Sequence, residues 1–153
     1  MIRLTAIAPA AVLSALVMLC GAAVMATPAG ARSPAGLWRT FDDRTGKPAG
    51  LLLIYEQNGE FYARIHPGPG GDTGERCTAC VDERRNQPMA GLVIMRRMRF
   101  ADGMYRGGDI LDPRSGSVYH CQFRLEPDGS RLVVRGYIGI SLFGRSQTWL
   151  REG

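Results

Sequence analysis

The chain is 153 residues long, carries 19 lysines and arginines against 14 aspartates and glutamates, and is 45% apolar. That length fits one domain with a sizeable core, and the apolar share excludes a disordered chain. The formal charge of +5 is spread along the sequence rather than clustered, which argues against a nucleic-acid partner.

In chain order the first element is a leader. Arg3 is its early cation, an apolar run follows from Ala6 to Val24, and Ala29-Gly30-Ala31 supplies small residues for cleavage. This is the anatomy of a secretory signal peptide over 1–31, with cleavage after Ala31, or after Ala26 as the alternative, and a domain over 32–153. Pro9 and the many Ala and Gly make the run a weak spanning segment, so no stable membrane insertion is expected after cleavage. Leu19 before Cys20 is not the small residue that lipid attachment requires, and Cys20 leaves with the leader. The expected location is the periplasm or the exterior, where disulfides persist.

Beyond the leader, turn signals recur about every ten residues, the mark of an all-β meander. The expected strands are 36–41, 51–56, 61–65, 92–100, 105–111, 118–125, 132–140 and 146–151. Asn58-Gly59, Asp102-Gly103 and Asp128-Gly129 are the sharpest hairpin signals, because tight turns need positive φ. Eight up-and-down antiparallel strands remove their exposed edges by closing into a barrel. Alternation places Leu51, Leu53 and Tyr55 inside, with Phe61, Ala63 and Ile65; Tyr119, Cys121, Phe123 and Leu125; and Leu132, Val134, Ile138 and Ile140. A connection from His66 to Gly91 interrupts the meander; loops this long are often functional, and it is a candidate lid over one barrel mouth.

That loop carries Cys77 and Cys80 in "CTAC". A structural zinc site needs four ligands, and His120 and Cys121, adjacent on a strand, point to opposite faces, so no metal is expected. A thioredoxin-type couple needs a βαβ setting that the chain lacks, although an exposed C-x-x-C remains open to redox exchange. The staple reading has two forms. A Cys77–Cys80 bond contributes only about 2 kcal/mol, while a bond from either to Cys121 closes about forty residues and contributes about 4 kcal/mol. Cys121 between inward Tyr119 and Phe123 suits a buried free thiol, so Cys77–Cys80 is the expected pair and Cys121 the alternative partner.

No catalytic constellation stands out, and no cofactor is expected. Asp42, Asp43 and Asp112 head turns, where Asp bonds local backbone N–H groups; with Asp109 they make a weak acid–base set. Arg96 shares a strand face with Leu92, Ile94 and Met98. The expected placement is near a rim, with the stem carrying the charge to water; a buried guanidinium would instead need a carbonyl or carboxylate partner, such as Asp109 or the anionic head of a ligand. Arg96, Tyr119, Phe123 and Tyr137 are the candidate ligand contacts.

"GLWRTFDDRTGKPAG", "CTAC", "PMAGLVI", "GGDILDPRSGSVYHCQFRL" and "RGYIGISLFGRSQTWLR" together resemble the exported bacterial family designated domain of unknown function 2147. The likeness runs from about Gly36 to Arg151 and implies a small lipocalin-like β-barrel of unsettled activity, with no catalytic residue to transfer. In lipocalin-like folds a Trp opening the first strand is stacked by a late Arg, which assigns barrel closure to Trp38 and Arg151. The functional expectation is a binding module for a small apolar or amphipathic ligand or an envelope partner. The alternatives are a thiol-redox or metal-linked protein using Cys77 and Cys80, or an interaction domain whose bore is filled by side chains.

Overall fold

A computed structural model describes residues 33–153, and the expected leader lies outside the described residues. Eight strands follow one another in the order β1 (Gly36–Phe41), β2 (Pro48–Gln57), β3 (Glu60–His66), β4 (Val93–Ala101), β5 (Met104–Asp112), β6 (Ser117–Leu125), β7 (Arg131–Tyr137) and β8 (Gly144–Arg151). Each pairs antiparallel with its neighbour and β8 returns to β1, so the sheet is a closed up-and-down barrel. The hairpin signals are realised: Asn58 and Asp102 adopt φ of 54° and 52°, each followed by a glycine at positive φ.

Closure is a narrow seam. Only Trp38↔Arg151 and Arg39↔Leu150 pair across it. Trp38 is fully buried, and the Arg151 guanidinium carbon lies 4.4 Å from its ring centroid. The same guanidinium donates to three carbonyls, Gly129 (2.7 Å), Ala35 (2.9 Å) and Ser33 (2.9 Å). Gly36 explains the G-x-W pattern in physical terms: its φ is +140°, and a Cβ there would sit 2.6 Å from Arg151 Nη1. The glycine clears the space in which the arginine spans the seam.

Three expectations of side-chain direction are corrected. On β2 it is Leu52 and Ile54 that are buried, with Leu51, Leu53 and Tyr55 only half-buried. "LLLIY" is apolar at both parities, so the pairing decides, and Trp38↔Leu52 puts the even positions inside. On β4 the backbone reaches positive φ at Arg97 and the register against β3 shifts on both sides of Ala63. Met95 and Met98, three apart, are therefore both fully buried, and Arg96 lies outside the simple alternation. β7 ends at Tyr137, so Ile138 and Ile140 are 69% and 61% exposed instead of inside.

Arg151→Ala removes the cation over Trp38 and leaves three carbonyls to find new donors. The expected cost is about 2–4 kcal/mol, read as a lower urea midpoint. Arg151→Lys, with a compact head that cannot fork, is expected to recover less than half of it.

Candidate functional site

An up-and-down barrel sends alternate connections to the same end. The β1–β2, β3–β4, β5–β6 and β7–β8 connections therefore share one mouth. At the other end Phe61 meets Tyr105 edge-on at 5.1 Å, Tyr105 stacks on Phe123 at 4.5 Å, and Met98 and Leu132 are fully buried. That end is filled. The mouth end is not: a cavity of about 1160 Å³ opens there, so the bore is not packed from end to end.

The cavity wall is apolar, with Leu52, Ile65, Ile94, Ile110, Tyr119 and Trp149 among its side chains, and Gly136 leaves width at mid-height. Trp149 is 2% exposed and donates its indole N–H to Gln147 Oε1 at 3.0 Å, so the polar edge of the ring is satisfied within the wall. Charges gather at the rim: Asp42, Asp43, Asp72, Glu75 and Asp112 face Arg44, Arg114 and Arg145. Arg114 bonds Asp42 at 2.7 Å and Arg145 bonds Asp43 at 3.1 Å, tying the β1–β2 connection to the β5–β6 connection and to the start of β8. Arg114, with the backbone N–H groups of Thr45 and Arg44, holds Asp42 well below the usual carboxylate range. Asp112 accepts from Arg114 N–H and Ser115 Oγ. These carboxylates are occupied in turns and ion pairs, as their sequence positions suggest, and Asp109 is held outside the rim by Arg96 and Arg97.

Of the four candidate ligand contacts, Tyr119 and Tyr137 line the cavity. Phe123 belongs to the filled end. Arg96 does not line the cavity; its Nε donates to Asp109 Oδ1 at 3.0 Å, one of the partners that the sequence allowed for a buried guanidinium, and its Nη1 to Glu83 of the long loop. Burial disfavours its charge, while the two carboxylates favour it more strongly. Gln147 and Arg145 are cavity residues that the sequence reading passed over. Their signal is the alternation back from Trp149 in "GRSQTWLR".

Residues 67–92, the expected lid segment, border the cavity. His66, Asp72, Glu75 and Met89 line the cavity, but Cys77 and Cys80 do not. The two cysteines are bonded to each other, and each is 1% exposed. Cys77 Sγ lies 3.7 Å from the Pro113 carbonyl oxygen, and a Cβ on Gly116, whose φ is +74°, would be 1.9 Å from Ala79 O. The disulfide turn is thus seated on the β5–β6 turn, and Gly116 permits the contact. Arg84, 5% exposed, secures the rest of the loop by binding Asp82 and the Val93 carbonyl. Cys121 is a free, fully buried thiol, and burial pushes it up to about 12. Among the described residues no three His, Cys, Asp or Glu side chains are grouped to hold a metal ion.

The family described as "Uncharacterized protein conserved in bacteria (DUF2147)" matches residues 36–151. Among solved structures the chain is similar to the Helicobacter pylori protein HP1028, described as belonging to the lipocalin family. The TM-score is 0.69 at 20% identity, covering 79% of this chain and 84% of that one. At that identity the likeness bears on the fold alone. No curated protein matches the chain.

Two outcomes follow from the loop anchors. Gly116→Ala drives a methyl group into Ala79 O, so the disulfide turn should lift and its reduction by dithiothreitol should quicken by about tenfold or more, with the barrel's far-ultraviolet spectrum unchanged. Arg84 lowers the Asp82 carboxyl to about 2, below the unfolded value of about 3.9. The pair therefore stabilises the fold above the unfolded value and loses that contribution as pH falls through the folded one. The melting-temperature gap between wild type and Asp82→Asn should close between about pH 4 and pH 2.

Proposed function

The chain belongs to the bacterial family of uncharacterized proteins designated DUF2147, and from that premise we propose that it is an exported binding barrel. It takes the apolar part of one small amphipathic molecule into the mouth half of its bore. The observation that carries this reading is the half-filled barrel: one end closed by packed aromatics, the other an apolar cavity of about 1160 Å³ with a charged rim. Small-molecule sites have this form, an apolar pocket of several hundred cubic ångströms with few polar groups at fixed places. An eight-stranded barrel is just wide enough to be filled by side chains or to hold one small ligand.

The wall and the rim favour different parts of a ligand. Ile65, Ile110 and Trp149 offer only dispersion and apolar burial, whereas a polar head would remain among the carboxylates and guanidiniums of the mouth. Burying a chain of about eight carbons contributes roughly 6 kcal/mol before the cost of immobilising it. Before that cost, about 6 kcal/mol corresponds to a Kd of about 40 μM, so contacts of the head at the rim must add to the burial of the tail. The leader over 1–31 supports export to the periplasm or beyond. Thiol exchange at Cys77 and Cys80 is less well supported, since both sulfurs are buried beneath the β5–β6 turn.

The test is uptake of an apolar fluorescent probe such as a naphthylamine, followed by its emission gain. Gly136 lies on an inward position where an added Cβ would meet Ile110 and Tyr119 at ordinary contact, 3.5 Å. Gly136→Leu is therefore expected to fill the bore and weaken uptake by about tenfold or more while the protein still melts cooperatively. Unchanged uptake in a folded variant would place the probe elsewhere and contradict the reading.

A further inference from the structure

The β7–β8 connection is built unlike the other three at the mouth. Residues 138–143, "IGISLF", contain no charge. Four of the six are large apolar side chains turned to solvent: Ile138 at 69%, Ile140 at 61%, Leu142 at 74% and Phe143 at 72% exposed. The remaining exposed large apolar residues, such as Val81, Phe100 and Val118, are dispersed over other elements. Single exposed apolar residues are ordinary, but four in one turn mark a contact surface.

Three features identify what that surface meets. The first is the backbone of the tip. Arg135 donates Nε to Ser141 O at 2.7 Å and Nη2 to Leu142 O at 3.1 Å, and Phe143 N donates to Ile140 O at 3.1 Å. Three successive carbonyls are thus occupied from within, which lowers the cost of moving the tip into an apolar medium. The second is the grouping of residue types at the tip. Tyr137 stands at its base and Arg145 opens β8 just behind it, while the Arg135 guanidinium sits on the tip's own carbonyls; apolar, aromatic and cationic groups are thus gathered as at a membrane interface. The third is continuity. Ile138 and Phe143 belong both to the exposed tip and to the cavity lining, so the apolar tip adjoins the bore. A protein seated on this tip would close the mouth, whereas a lipid surface would present apolar chains to it.

We propose that the 138–143 turn is a membrane-docking tip that inserts into the outer part of a lipid leaflet and sets the open mouth against it, so that an apolar chain passes between membrane and cavity. The docking is peripheral and rests on apolar insertion. The cavity rim offers five carboxylates against three arginines, two of which are paired, so anionic headgroups are not the attractant. The cargo rests on the binding-barrel reading; the docking itself does not.

Flotation with vesicles of phosphatidylethanolamine containing a minor share of phosphatidylglycerol tests it directly, using the chain without its leader. Wild type should float with the vesicles. The double variant Ile140→Ser, Leu142→Ser alters only exposed side chains that do not line the cavity. It should keep its melting temperature and its uptake of the naphthylamine probe, and should partition about tenfold less or weaker still. Raising salt from about 50 to about 500 mM should change wild-type partition by less than about twofold. Absence of flotation, or equal flotation of the double variant, would overturn the proposal. So would a double variant that alters sedimentation of the protein alone, since the tip would then serve contact with a second copy. Flotation that survives with no probe uptake would instead sink the cavity reading and leave the docking standing.

Discussion

The fold depends on one guanidinium. A meander of eight strands has two free edges until the last strand finds the first, and here they are joined by two ladder pairs, a Glu152 N–H on the Leu37 carbonyl and the Arg39–Glu152 ion pair. Arg151 makes that short seam sufficient. It lies over the indole of Trp38, which burial keeps dry, and binds carbonyls of the β6–β7 turn and of the segment before β1. A hydrogen-bonded charge of this kind is worth roughly twice a neutral bond, and its removal leaves acceptors stranded rather than simply absent. Gly36 belongs to the same device, because no other residue leaves room for the arginine at that backbone angle.

Closure also divides the molecule into two unlike ends. At the Arg151 end the turns are short, and the interior is filled by Trp38, Phe61, Tyr105 and Phe123. At the opposite end the connections are longer and tied to each other by Arg114–Asp42, Arg145–Asp43 and the disulfide turn on Gly116. These contacts link the connections around the rim. A preformed apolar cavity is the physical basis for binding without the cost of ordering the site. The cysteine pair contributes to these links, closing a four-residue turn that gives the long loop a rigid knob to seat on β5–β6.

Much of the architecture was legible from the chain. The strand count, the antiparallel order and the hairpins at Asn58-Gly59 and Asp102-Gly103 follow from turn chemistry that admits few alternatives. The Arg151–Trp38 stack was legible through family resemblance, and Gly36 then supplied its reason. Alternation failed where it carried no information. "LLLIY" reads as inward at either parity, and β4 holds a positive φ at Arg97 that no residue type announces. "YIGIS" continues the apolar pattern of β7 past the strand's end, because an exposed apolar tip and a buried strand look alike in sequence. At the site, Tyr119 was within reach of alternation, whereas Tyr137, of opposite parity to Leu132 and Val134, and the division between filled and open halves were not. That division follows from how Tyr105 stacks between Phe61 and Phe123, a packing outcome that no spacing rule encodes.

The central claim is that the open half of the bore is a ligand site. Native mass spectrometry of the protein prepared from the bacterial envelope in mild detergent, before and after solvent extraction, tests it most directly. The account predicts a population heavier by one molecule of a few hundred daltons, lost on extraction and regained from a lipid extract. A single unliganded mass in every preparation, with nothing taken up from the extract, would contradict it.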